Sequence, residues 1–402
     1  MNKKIKVVIG ANFGDEGKGL MTDYFCNKFD ESKDVLNVRF NGGSQAGHTV
    51  VTPDGLRHVF NHFGAGSFNK NVVTYLSPDF ILNPIIFRKE YEKLITLGIN
   101  PRIIIHPMCM VTTPYDMILN QIIEKSRDKR HGSCGLGVYE TIIRYNDSSN
   151  SLHFCEMMLN MHILADYLKD ISDKYVSKRL KDLNISKIEI EDMDLLNKET
   201  ILINYIEDLI FMYNNCIIET TEDLSNYENI VFEGAQGLLL DKDNKDYFPN
   251  LTPSNTGLKN IIEILNKINK KSDKIELEIC YITRSYLTRH GAGKFLTECK
   301  KDLINPNMID LTNHKNDYQG NFRYGFLDIG LFIKTTSKDF LYLDGLNFKD
   351  TYDTNKAFVI THLDETNEEL IGQLGKISIE ESNLSPKYTS LGMTRNTVAI
   401  KL

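Results

Sequence analysis

No two cysteines in this 402-residue chain are spaced Cys-x-x-Cys, and the seven present (Cys26, Cys109, Cys134, Cys155, Cys216, Cys280, Cys299) are scattered and odd in number. That pattern argues against zinc ribbons and redox dithiols and fits a reducing compartment. No stretch approaches the ~18 consecutive apolar residues of a membrane-spanning helix. The apolar run Ile5–Ile9 behind the charged N-terminus is too short for a signal peptide, so the expectation is a cytoplasmic protein with no membrane partner. Positive charge is not in excess: 47 Lys and Arg against 54 Asp and Glu leave a net −7. A broad basic face for nucleic acid is therefore not expected, although a local basic pocket for phosphate would not show in a sum. Neither an internal repeat nor a Pro/Ser/Gly linker divides the chain. One domain over residues 1–402 is expected, large enough to bury a core without disulfide or metal staples.

What is present is a repeated alternation of strand and helix. Ile5–Ile9 ends at Gly10 and is followed by Gly14, Gly17 and Gly19, then by Met21–Phe25, which reads as buried strand, glycine loop and helix. Val35–Phe40 is a second apolar strand, ending at Gly42-Gly43. Further candidate strands are Val72–Leu76, Ile103–Ile105, Asn229–Phe232, Glu276–Thr283, Leu341–Leu343 and Phe358–Thr361, with helical stretches such as Pro84–Leu97 and Asp116–Arg127 between them. The class predicted is α/β, with a largely parallel central sheet flanked by helices. From about 155 to 229 the texture changes. Met157–Leu168, Asp173–Leu183 and Lys198–Asn214 carry apolar residues at helical spacing, and a helical excursion from the sheet is expected there.

Two loops carry chemistry. Gly14-Asp15-Glu16-Gly17-Lys18-Gly19 follows a strand and opens a helix, so its backbone N–H groups, the helix N-terminus and Lys18 can all face phosphate. It is not a Walker A loop, since Asn12 stands where the first glycine would be. An acidic pair inside such a loop repels phosphate unless Mg²⁺ intervenes or a carboxylate takes a proton; the plain alternative is a glycine turn with exposed charges. Gly42-Gly43-Ser44-Gln45-Ala46-Gly47-His48-Thr49 follows the second strand and puts a histidine at the carboxyl end of the sheet, where α/β proteins bind ligands. His48 is there either a general acid or an ordinary loop histidine.

These two loops, with Phe232–Asp241 (FEGAQGLLLD), Thr252–Thr256 (TPSNT), Thr288–Gly293 (TRHGAG) followed by Thr297-Glu298, Gly325–Asp328 (GFLD) and Thr361–Asp364 (THLD), run in the order of the adenylosuccinate synthetase family, which the chain resembles over nearly its whole length. The resemblance implies a ligase that joins L-aspartate to the 6-position of IMP with GTP, through a 6-phosphoryl intermediate, and that works as a homodimer. It implies that Asp15 removes the purine N1 proton, that His48 donates to the transferring phosphoryl group, and that Asp15 and the Gly47 carbonyl ligate Mg²⁺. Gly14, Glu16, Gly17, Lys18, Gly19, Gly47, His48 and Thr49 would meet the GTP phosphates. His362, Leu363, Asp364, Ser390 and Gly392 would hold the guanine. Asp15, Lys18, Gln45, Ala46, Ser133, Gln236, Thr252 and, across a dimer interface, Arg144 would bind the purine monophosphate. Arg323, with Gly320 and Asn321, would grip aspartate.

The chain also departs from the family. Gln45 stands for an Asn, His362 for a Lys, and the loop holding Ser133 is poor in threonine. The Gly320–Gly325 loop has one arginine where the family has a run of them. Two other readings therefore stay open. One is the related phage synthetase that aminates GMP or dGMP to a 2-aminoadenylosuccinate nucleotide, although several of those lack an acid at the Asp15 position. The other is a nucleotide-binding homologue without catalysis, which the arginine-poor loop alone supports.

Overall fold

A computed structural model describes residues 1–127, 133–147, 151–157, 161–307, 322–366 and 386–400. Among these, ten strands form one sheet. Edge to edge the order is Val398–Ile400, Tyr388–Ser390, Tyr352–Thr361, Lys274–Arg284, Asn2–Gly10, Asn229–Gly237, Val35–Arg39, Val72–Leu76, Arg102–Ile105 and Ile217–Ile218. Every neighbouring pair is parallel except Tyr388–Ser390 with Val398–Ile400. The α/β expectation is met.

The central strand shows why. From Val7 to Gly10 every residue is buried, as a strand covered on both faces must be. Ile5, Val7 and Ile9 point to one side, against Ile261 and Leu265 of the helix Leu258–Ile268. Val8 points to the other, against Met21 and Phe25 of the helix Lys18–Cys26. Period-2 alternation thus feeds two separate apolar layers. The remaining helices start on readable signals. Asn83 caps Pro84–Thr96, and Thr113 with Asp116 forms a capping box for Pro114–Ser126.

Between the strands Arg102–Ile105 and Ile217–Ile218 the chain is helical, with Met161–Asp170, Val176–Asp182, Ile190–Leu196 and Glu199–Asn214 among its elements. Leu164, Leu168, Leu180, Tyr205, Leu209 and Met212 join the sheet's flank in one further core. Helices already begin at Pro114, and the short edge strand Ile217–Ile218 falls inside the stretch expected to be helical. Leu341–Leu343, expected as a strand, is instead a 3₁₀ turn over Leu341–Gly345 that continues the helix Ile329–Phe340. Its apolar side chains are largely outside, with Leu341 66% exposed, so no sheet claims them.

Parallel order sends the loops after the central strands to one edge of the sheet. The two glycine loops, Gly234–Gly237, the segment after Arg284 and Thr361–Asp364 all lie along that carboxyl edge.

Candidate active site

Glu16 organises the first glycine loop. Its carboxylate accepts from the backbone N–H groups of Asn12 (3.0 Å) and Gly14 (2.7 Å) and meets Lys18 Nζ at 2.9 Å. Lys18 also donates to the Gly14 carbonyl. Both charged side chains are buried, so each neutralises the other. The acidic pair is therefore split in role: Glu16 pins the loop, while the Asp15 side chain stays 29% exposed. A Cβ on Gly10 or Gly237 would come within 2.3 Å of Glu16 Oε2 or the Asn12 carbonyl, so both positions require glycine.

The second loop docks on the first. A Cβ on Gly19 would stand 2.9 Å from the Thr49 carbonyl and 3.2 Å from His48 Cβ, which brings the helix start and the histidine into contact. Asn41 ties this loop to the strand end beyond Phe232: it donates to the Ala235 carbonyl (3.0 Å) and accepts from the Ala235 N–H (2.8 Å). In the same strand Glu233 hydrogen-bonds His48 Nδ1 and accepts from the Ala65 N–H at 3.0 Å. Arg39 lies opposite Glu233 in register and donates to the Ala46 and Phe63 carbonyls. Burial opposes ionisation of Glu233, but Arg39 and His48 outweigh it and hold the carboxyl below its ordinary value. Burial, only partly offset by Glu233, pushes His48 down to about 4. The imidazole is neutral at pH 7, with its proton on Nδ1 facing the carboxylate.

Gln236 follows with φ at 64°, a backbone conformation disfavoured for a side chain, and its amide oxygen abuts Gly14. Gln45 Oε1 and Thr49 Oγ1 are buried without a hydrogen-bond partner in the described structure. Polar atoms left this way inside a cleft mark where a polar ligand fits. Ala46 is buried beside them, and Thr252 is half-buried with its N–H on the Leu240 carbonyl (2.9 Å).

On the other flank Thr361 Oγ1 donates to the Glu16 carbonyl at 2.7 Å, and a Cβ on Gly17 would meet His362 Cε1 at 3.4 Å. His362 has φ 56°, and burial holds its imidazole well below the usual value. Leu363 is half-buried and Asp364 exposed. Ser390 Oγ bonds the Gly392 carbonyl at 2.7 Å, closing that turn.

Two expected ligands are placed elsewhere. Arg144 is fully buried: Nε and Nη2 each meet the Asp116 carboxylate at 2.9 Å, Nη2 donates to the Val111 carbonyl and Nη1 to the Tyr167 hydroxyl, both at 2.8 Å. A guanidinium so enclosed does not cross to a partner's phosphate. It knits the helix Val138–Tyr145 to the capping box of Pro114–Ser126. Arg323 grips Glu298 with Nε and Nη2, and its Nη1 donates to the carbonyls of Gly291 (3.2 Å) and Gly293 (2.9 Å). An internal carboxylate stands where the substrate's was expected. Ser133 Oγ is engaged by Asn120 (2.8 Å) and the Gly135 N–H (3.1 Å). Gly320 and Asn321 lie outside the described residues.

Sequence reading passed over Glu233, Arg39 and His290, and named Arg284, with Arg289 and Lys294, only as a substitute for the missing loop arginines. Glu233 and His290 stand inside quoted motifs, but their importance arises from register and loop packing. Arg284 donates from Nε to the Asp15 carbonyl and from Nη1 to Tyr286 Oη (2.7 Å), fixing the loop's backbone from below. Among the described residues, no cluster of three or more His, Cys, Asp or Glu forms a metal site, and no helix is long and apolar enough to cross a membrane.

The adenylosuccinate synthetase family model matches residues 7–375. The chain is 29% identical over 348 residues to the adenylosuccinate synthetase of Mesoplasma florum, covering 84% of this chain and 75% of the relative. It is 30% identical over 367 residues to that of Prochlorococcus marinus, covering 89% and 77%. Among solved structures it is similar to fully ligated adenylosuccinate synthetase from Plasmodium falciparum, with TM-score 0.69, 18% identity, and 99% of each chain covered. It is also similar to the succinoaminodeoxyadenylate synthetase of cyanophage S-2L bound to dGMP and dATP, with TM-score 0.66, 14% identity, and 100% of this chain and 96% of that one covered.

Proposed function

Because this chain belongs to the adenylosuccinate synthetase family, we propose that it joins the amine of L-aspartate to the 6-position of IMP, driven by GTP and passing through a 6-phosphoryl purine. The observation that carries this is the meeting of the two glycine loops at Gly19 and His48, with an Asp15 carboxylate 29% exposed on the first loop and a buried Glu233–His48 pair at the second. One group is thereby available to remove a proton and another to meet a phosphoryl group.

Asp15 takes the N1 proton, which makes O6 the better nucleophile for the γ-phosphorus. His48 presents Nε2 to the transferring group, while Glu233 holds the other ring nitrogen. The phosphate charge brought by GTP raises the proton affinity of Nε2, so the ring takes a second proton from solvent as the nucleotide binds and donates it from Nε2 as transfer proceeds. Gly14, Gly17, Gly19 and Thr49 supply amides and a hydroxyl to the GTP phosphates, and Lys18 supplies charge once phosphate competes with Glu16. Gln45, Ala46, Gln236 and Thr252 line the purine monophosphate, with Ser133 at its margin. His362, Leu363, Asp364, Ser390 and Gly392 enclose the guanine. Arg323 reaches aspartate only by exchanging the Glu298 carboxylate for the substrate's.

The donors at the phosphate site fit Mg²⁺. They are one carboxylate, Asp15, and the carbonyl of Gly47, an exposed residue, both hard oxygens, and Mg²⁺ in nucleotide sites takes few protein ligands. Bound there it would neutralise phosphate charge. A homodimer and a cytoplasmic location complete the reading, with the whole chain acting as one unit.

The test is a substrate matrix. IMP, GMP and dGMP are each incubated with aspartate, Mg²⁺ and either GTP or ATP, and products are read by mass. Adenylosuccinate from IMP and GTP is expected. A 2-aminoadenylosuccinate nucleotide from GMP or dGMP would instead establish the phage-type reaction, and nucleotide binding without any product would establish the non-catalytic reading.

A further inference from the structure

The segment Leu287–Gly293 carries a side chain that the reaction above does not use. His290 Nε2 stands 3.5 Å from Asp15 Oδ2, and each side chain is 29% exposed, so both open to the same cleft. Among the described residues His290 is the one side chain paired with the Asp15 carboxylate. Arg284 fixes the Asp15 backbone carbonyl, which sets where the Cα sits but leaves the carboxylate free to rotate. A base that must lie within hydrogen-bond reach of one ring nitrogen cannot depend on a freely rotating group.

The imidazole is itself held firmly. Its ring packs on Phe322 with centroids 4.5 Å apart. The turn after it bends through two glycines with positive φ, Gly291 at 68° and Gly293 at 110°. Arg323 Nη1 caps the carbonyls of both glycines, and Glu298 locks Arg323 from the other side. The strand Arg323–Gly325 then pairs with Leu287–Arg289 in register, Arg289 opposite Arg323. A three-stranded sheet and a bidentate ion pair thus support a loop whose exposed product is one histidine aimed at one carboxylate.

We infer that His290 is a positioning residue for Asp15, its Nε2–H bonding the outer carboxylate oxygen and turning the inner one toward the purine edge. The contact, at 3.5 Å, needs to shorten by about 0.6 Å to become an ordinary N–H···O bond near 2.9 Å. The inference rests on the reading of Asp15 as the base. It also gives Arg323 Nη1 a purpose: on the Gly291 and Gly293 carbonyls it holds the loop that orients the base, whichever carboxylate the rest of the guanidinium grips.

The test compares His290→Ala, His290→Gln and Asp15→Asn in the full chain, using the monophosphate turned over in the substrate matrix. Gln can place an amide N–H where Nε2–H stood, whereas Ala cannot. His290→Ala should lower kcat at least tenfold while the KM values for both nucleotides and aspartate stay within about threefold, and His290→Gln should recover at least about a third of the wild-type rate. Calorimetric binding of GTP and the monophosphate, and Tm, should match wild type in both. An unchanged kcat in His290→Ala, or equal losses in Ala and Gln, overturns the inference. Asp15→Asn retaining more than about a tenth of wild-type turnover removes the base reading and this inference with it; an inactive Asp15→Asn beside an unaffected His290→Ala removes the inference alone.

Discussion

The Glu233 carboxylate meets Nδ1 of His48 inside the protein, with Arg39 opposite it in the sheet. It occupies Nδ1 and so leaves Nε2 as the ring nitrogen open to a further partner. Glu233→Gln keeps the shape but removes the negative charge that supports a second proton on the imidazole while Nε2 donates. A fall in kcat of about 10²-fold with GTP affinity within a few-fold is expected. Steady-state kinetics beside GTP titration calorimetry would check this, and a loss confined to KM would assign Glu233 to binding.

Asp15→Asn should remove turnover and leave nucleotide binding measurable, because proton removal at N1 precedes attack by O6. General-base catalysis is worth ~10²–10⁴-fold. A Mg²⁺ titration of both proteins separates loss of the base from loss of a metal ligand: only the latter is relieved by added metal.

Asp364 is exposed on the turn after the strand Tyr352–Thr361, and a carboxylate can accept from guanine N1–H and N2–H₂ together. Asp364→Asn should cost on the order of 1.5–3 kcal/mol in GTP binding and narrow the preference over ATP. If apparent GTP affinity does not move, the guanine is held elsewhere.

Asp23 bears on stability. It is fully buried in the helix after the first loop and bonds Arg395 at 3.1 Å, yet burial outweighs Arg395 and Asn27 and raises its carboxyl to about 6. A folded-state value above the unfolded one near 4 means the fold takes up the proton more readily. The resulting stabilisation is complete below about pH 4 and is lost as pH rises through about 6. Asp23→Asn should flatten the stability profile between those values and gain on the order of 1–3 kcal/mol at pH 8. Urea unfolding at pH 4.5 and pH 8 measures it, and parallel profiles for the two proteins would contradict it.

The sheet was legible because its central strands are buried on both faces, and two of them, Ile5–Gly10 and Val35–Gly43, run into glycines. Edge strands such as Ile217–Ile218 and Val398–Ile400 are two or three residues long, too short for any period to register. Glycine spacing marked the phosphate loops. It could not reveal that Glu16 faces inward and Asp15 outward, since the two differ by the direction of one turn. Arg144 was misplaced because a charge on an amphipathic helix reads as outward until Asp116 is seen closing over it. Glu233 and His290 were hidden for the opposite reason. Each matters through a partner distant in the chain, His48 at a separation of 185 residues for Glu233 and Asp15 for His290.

The strand Asn2–Gly10 precedes the other strands of the sheet in the chain, yet it lies between Asn229–Gly237 and Lys274–Arg284. Translation at ~5–20 residues per second leaves it unpaired on both edges for about 10–40 s before its first neighbour emerges. During that time its apolar run has no correct partner and can pair with any other exposed edge. The same topology that collects both glycine loops at one rim therefore delays that rim, which cannot assemble until more than half of the polypeptide has been made.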